Sequence, residues 1–332
     1  MLVSEFDYEL PEGLIAVRPP KVRGSSRLLV LDRGSGGIKD SLYADLADFL
    51  RAGDLLVLND TRVMRARLAA RLADGRKREL VVLEKHEGEP ERVMYRGKLR
   101  EGDKLMVGDT EIAVRKILSN GIAEADSVVP LVELTEKAGE VPLPPYMRRE
   151  ADAADIERYQ TVWAKTMGSA AAPTASLNMT EELLEKLRTK GVRVEYLTLH
   201  VGLGTFLPMR TEKVEDHQMH SEWFDLPEQT VTEVRRMWTE GGRVIALGTT
   251  VARTLEYWGK TGKTHGEDDI FIYPGFEFKV LDGLITNFHA PQSTVLMLTA
   301  AFAGWGNLEK AYAHAVRSEY AFLSYGDSML IC

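Results

Sequence analysis

The chain has 332 residues, of which 44% are hydrophobic and 28% are charged, and its formal net charge is −8. This length and composition predict a folded protein of two domains. They argue against low-complexity sequence, a fixed-period repeat or a protein that coats nucleic acid over its whole surface. The one cysteine, Cys332, excludes an internal disulfide and a cysteine-rich zinc site and is typical of a reducing compartment.

The first ten residues, MLVSEFDYEL, contain neither a basic segment nor the apolar core of a signal peptide. The longest apolar stretch, around STVLMLTAAFAG at 293–304, is too short to span a bilayer. We therefore expect a cytoplasmic protein that is neither secreted nor anchored in a membrane.

Residues 43–63, YADLADFLRAGDLLVLNDTRV, predict a short amphipathic helix followed by a strand. The helix is expected to stop at Gly53, and the apolar strand to end at Asn59 and Asp60. The same alternation returns in the second half of the chain. There, Thr180 is a predicted N-cap before EELLEKLRTKG, and RVIALGTTVARTLEYW predicts a strand, a tight turn and a helix. This alternation is typical of an α/β domain.

The pattern changes between Leu68 and Val141, where short alternating runs are separated by turn dipeptides such as Asp74-Gly75. This spacing predicts a small antiparallel barrel. The proline-rich VPLPPYMRRE that follows marks the exit from it, because prolines stiffen the chain and cannot donate to a ladder. The predicted fold class is therefore α/β, with a large α/β domain at 1–67 and 142–332 and an inserted small antiparallel β-barrel domain at 68–141.

Basic residues are concentrated in and near the predicted barrel. Thirteen lysines and arginines lie between Asp60 and Lys104, against nine acidic residues. This excess indicates either a local surface for nucleic acid or an ordinary solvated face of mixed charge.

The stretch HQMHSE contains His217, His220 and Glu222, three side chains able to bind a metal or move a proton. Their spacing of three and two residues cannot place all of them on one helix face, although a loop or irregular strand could bring them together. No well-defined zinc signature is present. A metal site, a structural pair and a substrate-facing role therefore all stay open.

The stretch LTLHVGLGTF places His200 at the end of a predicted strand, followed by Gly202 and Gly204. Without a third glycine the dinucleotide-binding pattern is incomplete, so the glycines are better explained by close approach of the backbone to a ligand. His200 is either a proton-transfer residue in a cleft or a buried histidine bonded to a carbonyl.

Three further stretches predict a ligand pocket. GSAAAPTASLNMT supplies a wall of small residues that leaves room for a planar or sugar-like group. GTT, at 248–250, lies between a strand and a helix, where free N–H groups bind anions or hydroxyls, although simple capping explains it equally well. ITNFHAPQST places Asn287 and His289 around a proline turn.

Ten regions, in order along nearly the whole chain, resemble those of the S-adenosylmethionine:tRNA ribosyltransferase-isomerase family of queuosine biosynthesis. They are FDYELPEGLIAVRPP with SRLLVLDR, GDLLVLNDTRV, GEVPLPPYMRR, RYQTVWAK, GSAAAPTASLNMT, LTLHVGLGTF, HQMHSE, RVIALGTT, LITNFHAPQSTVLMLTAAFAG and SYGDSMLI. The resemblance implies a large α/β domain with a small β-barrel. It also implies transfer of the ribosyl part of S-adenosylmethionine to 7-aminomethyl-7-deazaguanine at the tRNA wobble position. Rearrangement there gives epoxyqueuosine and releases adenine and methionine.

The chain departs from the family pattern where APTAGLHFT is expected. It has Ser176, Asn178 and Met179 there, and the missing histidine matters most, because an asparagine cannot shuttle a proton near neutral pH. Ala290 also replaces the usual leucine.

Under this resemblance, the reaction needs a general base, a proton donor and little water, and no metal is expected. We expect His200 or Glu222 to be the base, and His217 and His220 to orient the ribose or protonate the departing adenine. The candidate residues for binding S-adenosylmethionine as co-substrate are Ala172, Pro173, Thr174, Ala175, Asn178, Gly202, Gly204, Thr249, Thr250, Asn287 and His289.

The expected partner is a tRNA carrying the deazaguanine precursor, whose target base lies in a single-stranded loop. Candidate tRNA-binding residues are Asn59, Asp60, Arg62, Arg65, Arg67, Arg148 and Arg149.

Two alternative functions remain. One is a metal-dependent hydrolase centred on HQMHSE, and the other is a non-catalytic or altered-substrate tRNA-binding relative, suggested by Asn178.

Overall fold

The computed structural model describes residues 1–83, 90–118, 121–202, 209 and 211–332. Within these residues, strands form a nine-stranded sheet, a closed six-stranded barrel and a two-stranded ladder. The sheet contains, from edge to edge, β15 (His265–Asp268), β13 (Glu222–Asp225), β12 (Arg193–Leu199), β3 (Leu55–Asn59), β14 (Val244–Leu247), β16 (Gly283–Asn287), β17 (Ser328–Ile331), β1 (Arg27–Leu31) and β2 (Ile38–Leu42).

The four central strands β12, β3, β14 and β16 are mutually parallel, and β17 returns antiparallel beside β16. Strands β3, β14 and β16 are buried at every position, as expected of parallel strands covered on both faces. The predicted strand end at Asn59 is confirmed. The helices are α1 (Leu46–Phe49), α2 (Leu131–Ala138), α3 (Ala153–Arg158), α4 (Glu181–Thr189), α5 (Glu228–Glu240), α6 (Thr249–Thr261), α7 (Thr294–Ala303) and α8 (Trp305–Arg317).

Alternate residues of the sheet face two separate layers of helices. Leu55 and Val57 pack with α5, α6, α7 and α8, whereas Leu56 and Leu58 pack with α1 and α4. The predicted N-cap of α4 is present, because the Thr180 hydroxyl accepts a hydrogen bond from the third residue of that helix. Among the described residues, no helix is both long and apolar enough to cross a bilayer.

The barrel closes in the order β10, β7, β6, β5, β8, β9 and has a hydrophobic core of its own. Its strands are β5 (Arg67–Leu72), β6 (Lys77–Val82), β7 (Arg92–Arg96), β8 (Lys104–Val107), β9 (Thr110–Ile117) and β10 (Ile122–Ser127). At the predicted Asp74-Gly75 turn, Gly75 has φ +84°, which favours glycine. The predicted fold class, a large α/β unit with an antiparallel barrel inserted in it, is confirmed.

The chain enters and leaves the barrel at one point. The N–H of Arg67 donates to the carbonyl of Glu140 at 3.1 Å, and the N–H of Glu140 donates back at 2.8 Å. Before this point lies β4 (Thr61–Val63), and after it β11 (Thr166–Ser169), and these two strands pair in parallel as the separate ladder. The domain bounds predicted from sequence, 68–141 within 1–67 and 142–332, stay a prediction.

Candidate active site

The ends of the four parallel strands meet at one edge of the sheet. Asn59 ends β3, Asn287 ends β16, His200 directly follows β12 and Gly248 directly follows β14. In open α/β sheets, ligands bind in the crevice outside these carboxyl ends. A cavity of about 340 Å³, called the main cavity below, lies at this edge.

Three segments and several single residues line the main cavity. The segments are residues 172–175 after β11, residues 248–250 at the start of α6, and residues 286–293 from the end of β16 to the start of α7. The wall is completed by Tyr146, Val201, Met209, Val295, Leu323 and Ser324. Eight of the predicted co-substrate residues are brought together here: Ala172, Pro173, Thr174, Ala175, Thr249, Thr250, Asn287 and His289.

Local sequence explains the shape of this wall. Ala172 and Ala175 are buried, and their small side chains leave the space that a larger residue would fill. The Thr174 hydroxyl donates to Oδ1 of Asn287 at 3.1 Å and thereby ties the first loop to the end of β16. Thr174 and Asn287 therefore present fixed polar groups in a largely apolar cavity, the usual composition of a small-molecule site.

Helix α6 points its first turn at the same cavity. It follows Gly248, whose φ of +102° favours glycine, and no side chain of the described residues caps it. The first N–H groups of a helix carry partial positive charge and suit a carboxylate or hydroxyl oxygen. Thr249 and Thr250 add hydroxyl groups at this turn.

His289 is a neutral imidazole in the cavity wall. The ring Nε2 of His289 lies 2.8 Å from the Thr286 hydroxyl. The backbone N–H of His289 donates to the Tyr312 hydroxyl at 2.9 Å, and its backbone carbonyl accepts from the Tyr8 hydroxyl. Burial lowers the pKa of His289 to about 3. At neutral pH this side chain is therefore suited to hydrogen bonding and not to donating a proton as an imidazolium.

Glu222 and Arg253 form a buried ion pair beside the main cavity. Their side chains are 1% and 7% exposed, and Nη1 of Arg253 lies 2.6 Å from Oε2 of Glu222. The other carboxylate oxygen accepts the Gly202 N–H at 2.8 Å. Burial alone would raise the pKa of Glu222, but Arg253 and His220 hold it at about 2. Such a carboxylate is a weak base, so its geometry favours positioning over proton abstraction.

His217 and His220 lie on the extended segment before β13. Nε2 of His220 is 3.3 Å from Oε1 of Glu222, and the ring of His217 packs edge-on against Phe271 with centroids 5.1 Å apart. Burial and the nearby His220 lower the pKa of His217.

This cluster adjoins the main cavity. Glu222, Met219 and Phe271 line a small recess of about 20 Å³. Thr249 and Thr250 line both the recess and the main cavity. The structure therefore brings HQMHSE to the side of the α6 N-terminus.

His200 lies beside the strand that begins with Glu222, because its backbone N–H donates to the Trp223 carbonyl at 2.9 Å. Its side chain is 6% exposed, with Nδ1 2.7 Å from the Thr61 hydroxyl and the ring stacked on Trp223 at 5.1 Å. A Cβ at Gly168 would lie 2.5 Å from its Nε2. His200 itself does not line the main cavity, whereas the next residue, Val201, does.

Two of the predicted co-substrate residues belong instead to the scaffold. Asn178 is 3% exposed and donates to the Gly326 carbonyl at 2.9 Å and the Ser328 hydroxyl at 3.1 Å, while it accepts from Ser26 at 2.8 Å. Gly202 lies outside the main cavity and holds Glu222 through its N–H. Gly204 lies outside the described residues.

The predicted tRNA-binding residues divide into buried and exposed groups. Asn59 is fully buried, and its amide nitrogen donates to the Leu199 carbonyl at 2.9 Å, so assigning it to tRNA is corrected to a scaffold role. The same correction applies to Arg149, which is 14% exposed and makes two hydrogen bonds with Asp155 at 2.6 and 2.7 Å. Buried, paired groups of this kind are not available to a phosphate.

The other candidates differ in how strongly they are held. Asp60 accepts from the Thr198 hydroxyl at 2.6 Å, and Arg67 pairs with Glu79 at 2.6 Å. Three candidates are exposed cations: Arg62, Arg65 and Arg148.

Sequence reasoning missed two residues at the site. Arg253 lies inside the apolar face of α6, and a lone arginine at such a position signals a buried partner. Tyr146 lines the main cavity from the proline-rich segment that had been assigned only as a domain exit. Among the described residues, no group of three or more His, Cys, Asp or Glu side chains is arranged to hold a metal ion.

The fold and the cavity define a mixed α/β protein with an inserted barrel and a cavity at the carboxyl edge of its parallel strands. The family model described as "Queuosine biosynthesis protein" matches residues 3–331. The chain therefore belongs to the queuosine biosynthesis protein family, and the resemblance found in the sequence is confirmed.

Relatives match over their full lengths. The S-adenosylmethionine:tRNA ribosyltransferase-isomerase of Pelodictyon phaeoclathratiforme is 56% identical, and that of Geobacter sulfurreducens is 47% identical; each alignment covers 100% of both chains. The crystal structure of an S-adenosylmethionine tRNA ribosyltransferase from Thermotoga maritima is 34% identical with a TM-score of 0.58. That alignment covers 99% of this chain and 100% of the other.

Proposed function

We propose that this protein is an S-adenosylmethionine:tRNA ribosyltransferase-isomerase of the cytoplasm. It transfers the ribosyl part of S-adenosylmethionine to 7-aminomethyl-7-deazaguanine at the wobble position of a tRNA and rearranges it to an epoxycyclopentanediol. Adenine and methionine leave. The observation that carries the proposal is full-length identity of up to 56% to relatives with that name. The gathering of eight predicted ligand residues around one cavity supports it.

The main cavity suits the adenosyl part of the co-substrate. Its volume of about 340 Å³ is within the range of small-molecule sites. The small side chains of Ala172 and Ala175 leave room for a flat ring system. The hydroxyls of Thr249 and Thr250, the uncapped turn of α6 and the amide of Asn287 offer hydrogen bonds to ribose hydroxyls or the methionyl carboxylate.

The HQMHSE cluster supplies proton transfer at the edge of that site. A sulfonium acidifies the neighbouring C–H bonds, and the leaving adenine needs a proton, so the reaction requires both a base and an acid. Imidazoles are suited to both tasks near neutral pH. His217 and His220 fill these roles in our proposal, with Glu222 kept ionised by Arg253 to orient His220. His200 stays a candidate base, provided that substrate reaches its ring.

The decisive experiment uses the purified protein, S-adenosylmethionine and a tRNA that carries the deazaguanine precursor. We expect adenine release together with epoxyqueuosine in the digested tRNA, and neither product with a tRNA that lacks the precursor. Adenine without modified tRNA would indicate an altered substrate, and absence of both products would indicate a non-catalytic relative. Loss of activity on exhaustive chelation would favour the metal-dependent hydrolase.

Alanine variants test the residue assignments in the same assay. We expect His217→Ala and His220→Ala to lower kcat by about 10²–10⁴-fold, the usual contribution of a positioned acid or base. The matched control is His265→Ala, because His265 is exposed on β15, away from the main cavity. Full activity in the His200, His217, His220 and Glu222 variants together would remove the assignment.

A further inference from the structure

A second cavity, of about 450 Å³, lies between the barrel and the proline-rich segment that follows it. We call it the barrel–linker cleft, and we call residues 142–148 the linker strip. Strands β5, β6 and β7 form one wall, and the linker strip forms the other. Nothing in the proposed chemistry uses this cleft.

Arginines dominate the charge of the barrel–linker cleft. Four arginines line it against two glutamates. Two of these arginines are already engaged, since Arg67 pairs with Glu79 at 2.6 Å and Arg149 with a buried aspartate. Their charges are therefore largely compensated within the protein.

Arg96 and Arg148 are the loosely held cations of the cleft. The Arg96 side chain is 68% exposed with Nε 3.7 Å from Glu79, and the Arg148 side chain is 80% exposed with Nη1 3.6 Å from Glu12. Exposed pairs at such distances contribute little, so both guanidiniums can turn to another anion. One belongs to the barrel and the other to the linker strip, so they approach the cleft from opposite walls.

Besides its charges, the cleft has an unusual backbone conformation at Arg148, a proline-rich wall and an aromatic residue. Arg148 has φ +47°, a conformation that non-glycine residues adopt mainly where surrounding structure imposes it, often at functional positions. Pro142, Pro144 and Pro145 stiffen the wall beside it. Tyr95, partly buried on the barrel core, also lines the cleft and offers an aromatic surface to a base.

The linker strip separates the barrel–linker cleft from the main cavity. Tyr146 lines the main cavity, whereas Pro145 before it and Arg148 after it line the cleft. Neighbouring residues of the strip therefore line both spaces. An RNA strand that brings its target base to the main cavity would lead its neighbouring nucleotide along the strip towards the cleft.

We propose that the barrel–linker cleft binds the nucleotide next to the modified base in the anticodon loop. Arg96 and Arg148 contact the phosphates on either side of that nucleotide, and its unstacked base lies against Tyr95. Single-stranded RNA is commonly held in this way, by cations along the backbone and aromatic side chains under the bases. The inference rests on the proposed function, because it takes tRNA as the substrate.

Neutral variants test the phosphate contacts. The dissociation constant for the tRNA is measured over a range of salt concentrations for Arg96→Gln, Arg148→Gln and the double variant. We expect weaker binding, and a salt slope smaller by about 0.7 for each phosphate that is no longer neutralised. The matched control is Arg115→Gln, since Arg115 lies on β9, opposite β6 across the barrel, and likewise pairs with a carboxylate, that of Asp126. Affinity for S-adenosylmethionine stays unchanged in all of them.

Two substitutions of Tyr95 test the base contact. We expect Tyr95→Leu to weaken tRNA binding about tenfold and Tyr95→Phe to leave it unchanged, because stacking needs the ring and not the hydroxyl. Thermal unfolding of both variants separates this effect from loss of barrel packing.

Binding and catalysis test the cleft and the proposed function separately. Wild-type affinity and salt slope in the Arg96→Gln/Arg148→Gln double variant would overturn the inference, even if the wild-type enzyme modifies tRNA. Wild-type protein that binds tRNA through these arginines but releases no adenine would instead overturn the proposed function and leave the cleft assignment standing.

Discussion

The buried pair of Glu222 and Arg253 shows how one side chain organises this site. The carboxylate anchors the Gly202 N–H, the guanidinium and His220 at once, and Asp268 adds a second carboxylate 3.7 Å from Arg253. A buried charge is stable only while its partners are present. Glu222 therefore fixes the position of the HQMHSE segment relative to α6.

Replacing this carboxylate should destabilise the protein strongly. We expect Glu222→Gln to lower the free energy of unfolding by about 3 kcal/mol, because Arg253 loses its closest buried partner. Urea denaturation at neutral pH measures the change. As a control, Glu185→Gln should alter stability by less than about 0.5 kcal/mol, because Glu185 is 69% exposed and only 3.7 Å from its arginine. Equal losses in the two variants would contradict a special role for Glu222.

The same variant should change the acid sensitivity of folding. The pKa of Glu222 falls from its ordinary value of 4.5 to about 2 in the folded protein. The unfolded chain therefore takes up the proton first, and the stability from this group is present above pH 4.5 and lost as the pH falls towards 2. Urea midpoints of the wild type should fall more steeply over that interval than those of Glu222→Gln.

Asn178 marks the limit of reasoning from residue types alone. Its place in the family pattern made it a co-substrate candidate, but the side chain bonds to Ser26, Ser328 and the Gly326 carbonyl. These partners lie about 150 positions away in sequence in both directions, and no local pattern encodes them. Asn178 thereby joins the residue before β1, strand β17 and the loop before α4.

At the scale of elements, local signals predicted well and long-range pairing did not. Strand β3, helices α4 and α6 and the barrel turns follow from periodicity, caps and turn residues, so their positions were readable from sequence. Strand β17 lies between β16 and β1, and β4 pairs with β11 more than 100 residues later. Such pairings depend on packing of distant segments, which one sequence does not reveal.

The ladder of β4 and β11 holds His200 in place. The ring contacts Thr61 in β4, stacks on Trp223 in β13 and approaches Gly168 in β11. Three elements thus surround one side chain, and glycine at 168 is required by the closeness of the ring.

Adding a methyl group at this position should therefore displace His200. We expect Gly168→Ala to cost about 1–3 kcal/mol, because a Cβ would lie 2.5 Å from Nε2 of a ring that is fixed on its other sides. The matched control is Gly306→Ala in α8, where nothing lies within 4 Å and alanine is the better helix former. Thermal unfolding measures the stability of the variant, and the NMR signal of the His200 ring reports whether the ring is displaced. An unshifted signal with wild-type stability would count against this arrangement.

For the whole molecule, the barrel has a core of its own and joins the large unit close to one backbone pair. Arg67 and Glu140 bond to each other, and the described residues in the cores on both faces of the sheet include none from 68–139. Met64 and Ala66, just before the barrel, also belong to its core, and the Ala66 carbonyl accepts from the Val82 N–H at 2.8 Å. We propose that residues 68–141 form a domain that can be removed without unfolding the rest.

This organisation predicts the outcome of excising the barrel. Residues 68–139 are replaced by Asn-Gly, because a two-residue turn joins a hydrogen-bonded antiparallel pair. We expect a cooperatively folded protein that binds S-adenosylmethionine within about threefold of wild type, as the main cavity is kept. Its affinity for tRNA should fall at least about tenfold, because Arg96 and its wall are gone. Calorimetry measures the affinity for S-adenosylmethionine, and filter binding measures the affinity for tRNA. An unfolded product would contradict a separable domain.

The linker strip has a further consequence for the order in which ligands act. Because it walls both spaces, a shift of the strip towards one would enlarge the other. Such a shift would couple the free energies of occupancy on the two sides, and this coupling would be reciprocal. Binding of tRNA in the barrel–linker cleft would then change the affinity of the main cavity for S-adenosylmethionine. Cooperativity between the two substrates would need no contact between them.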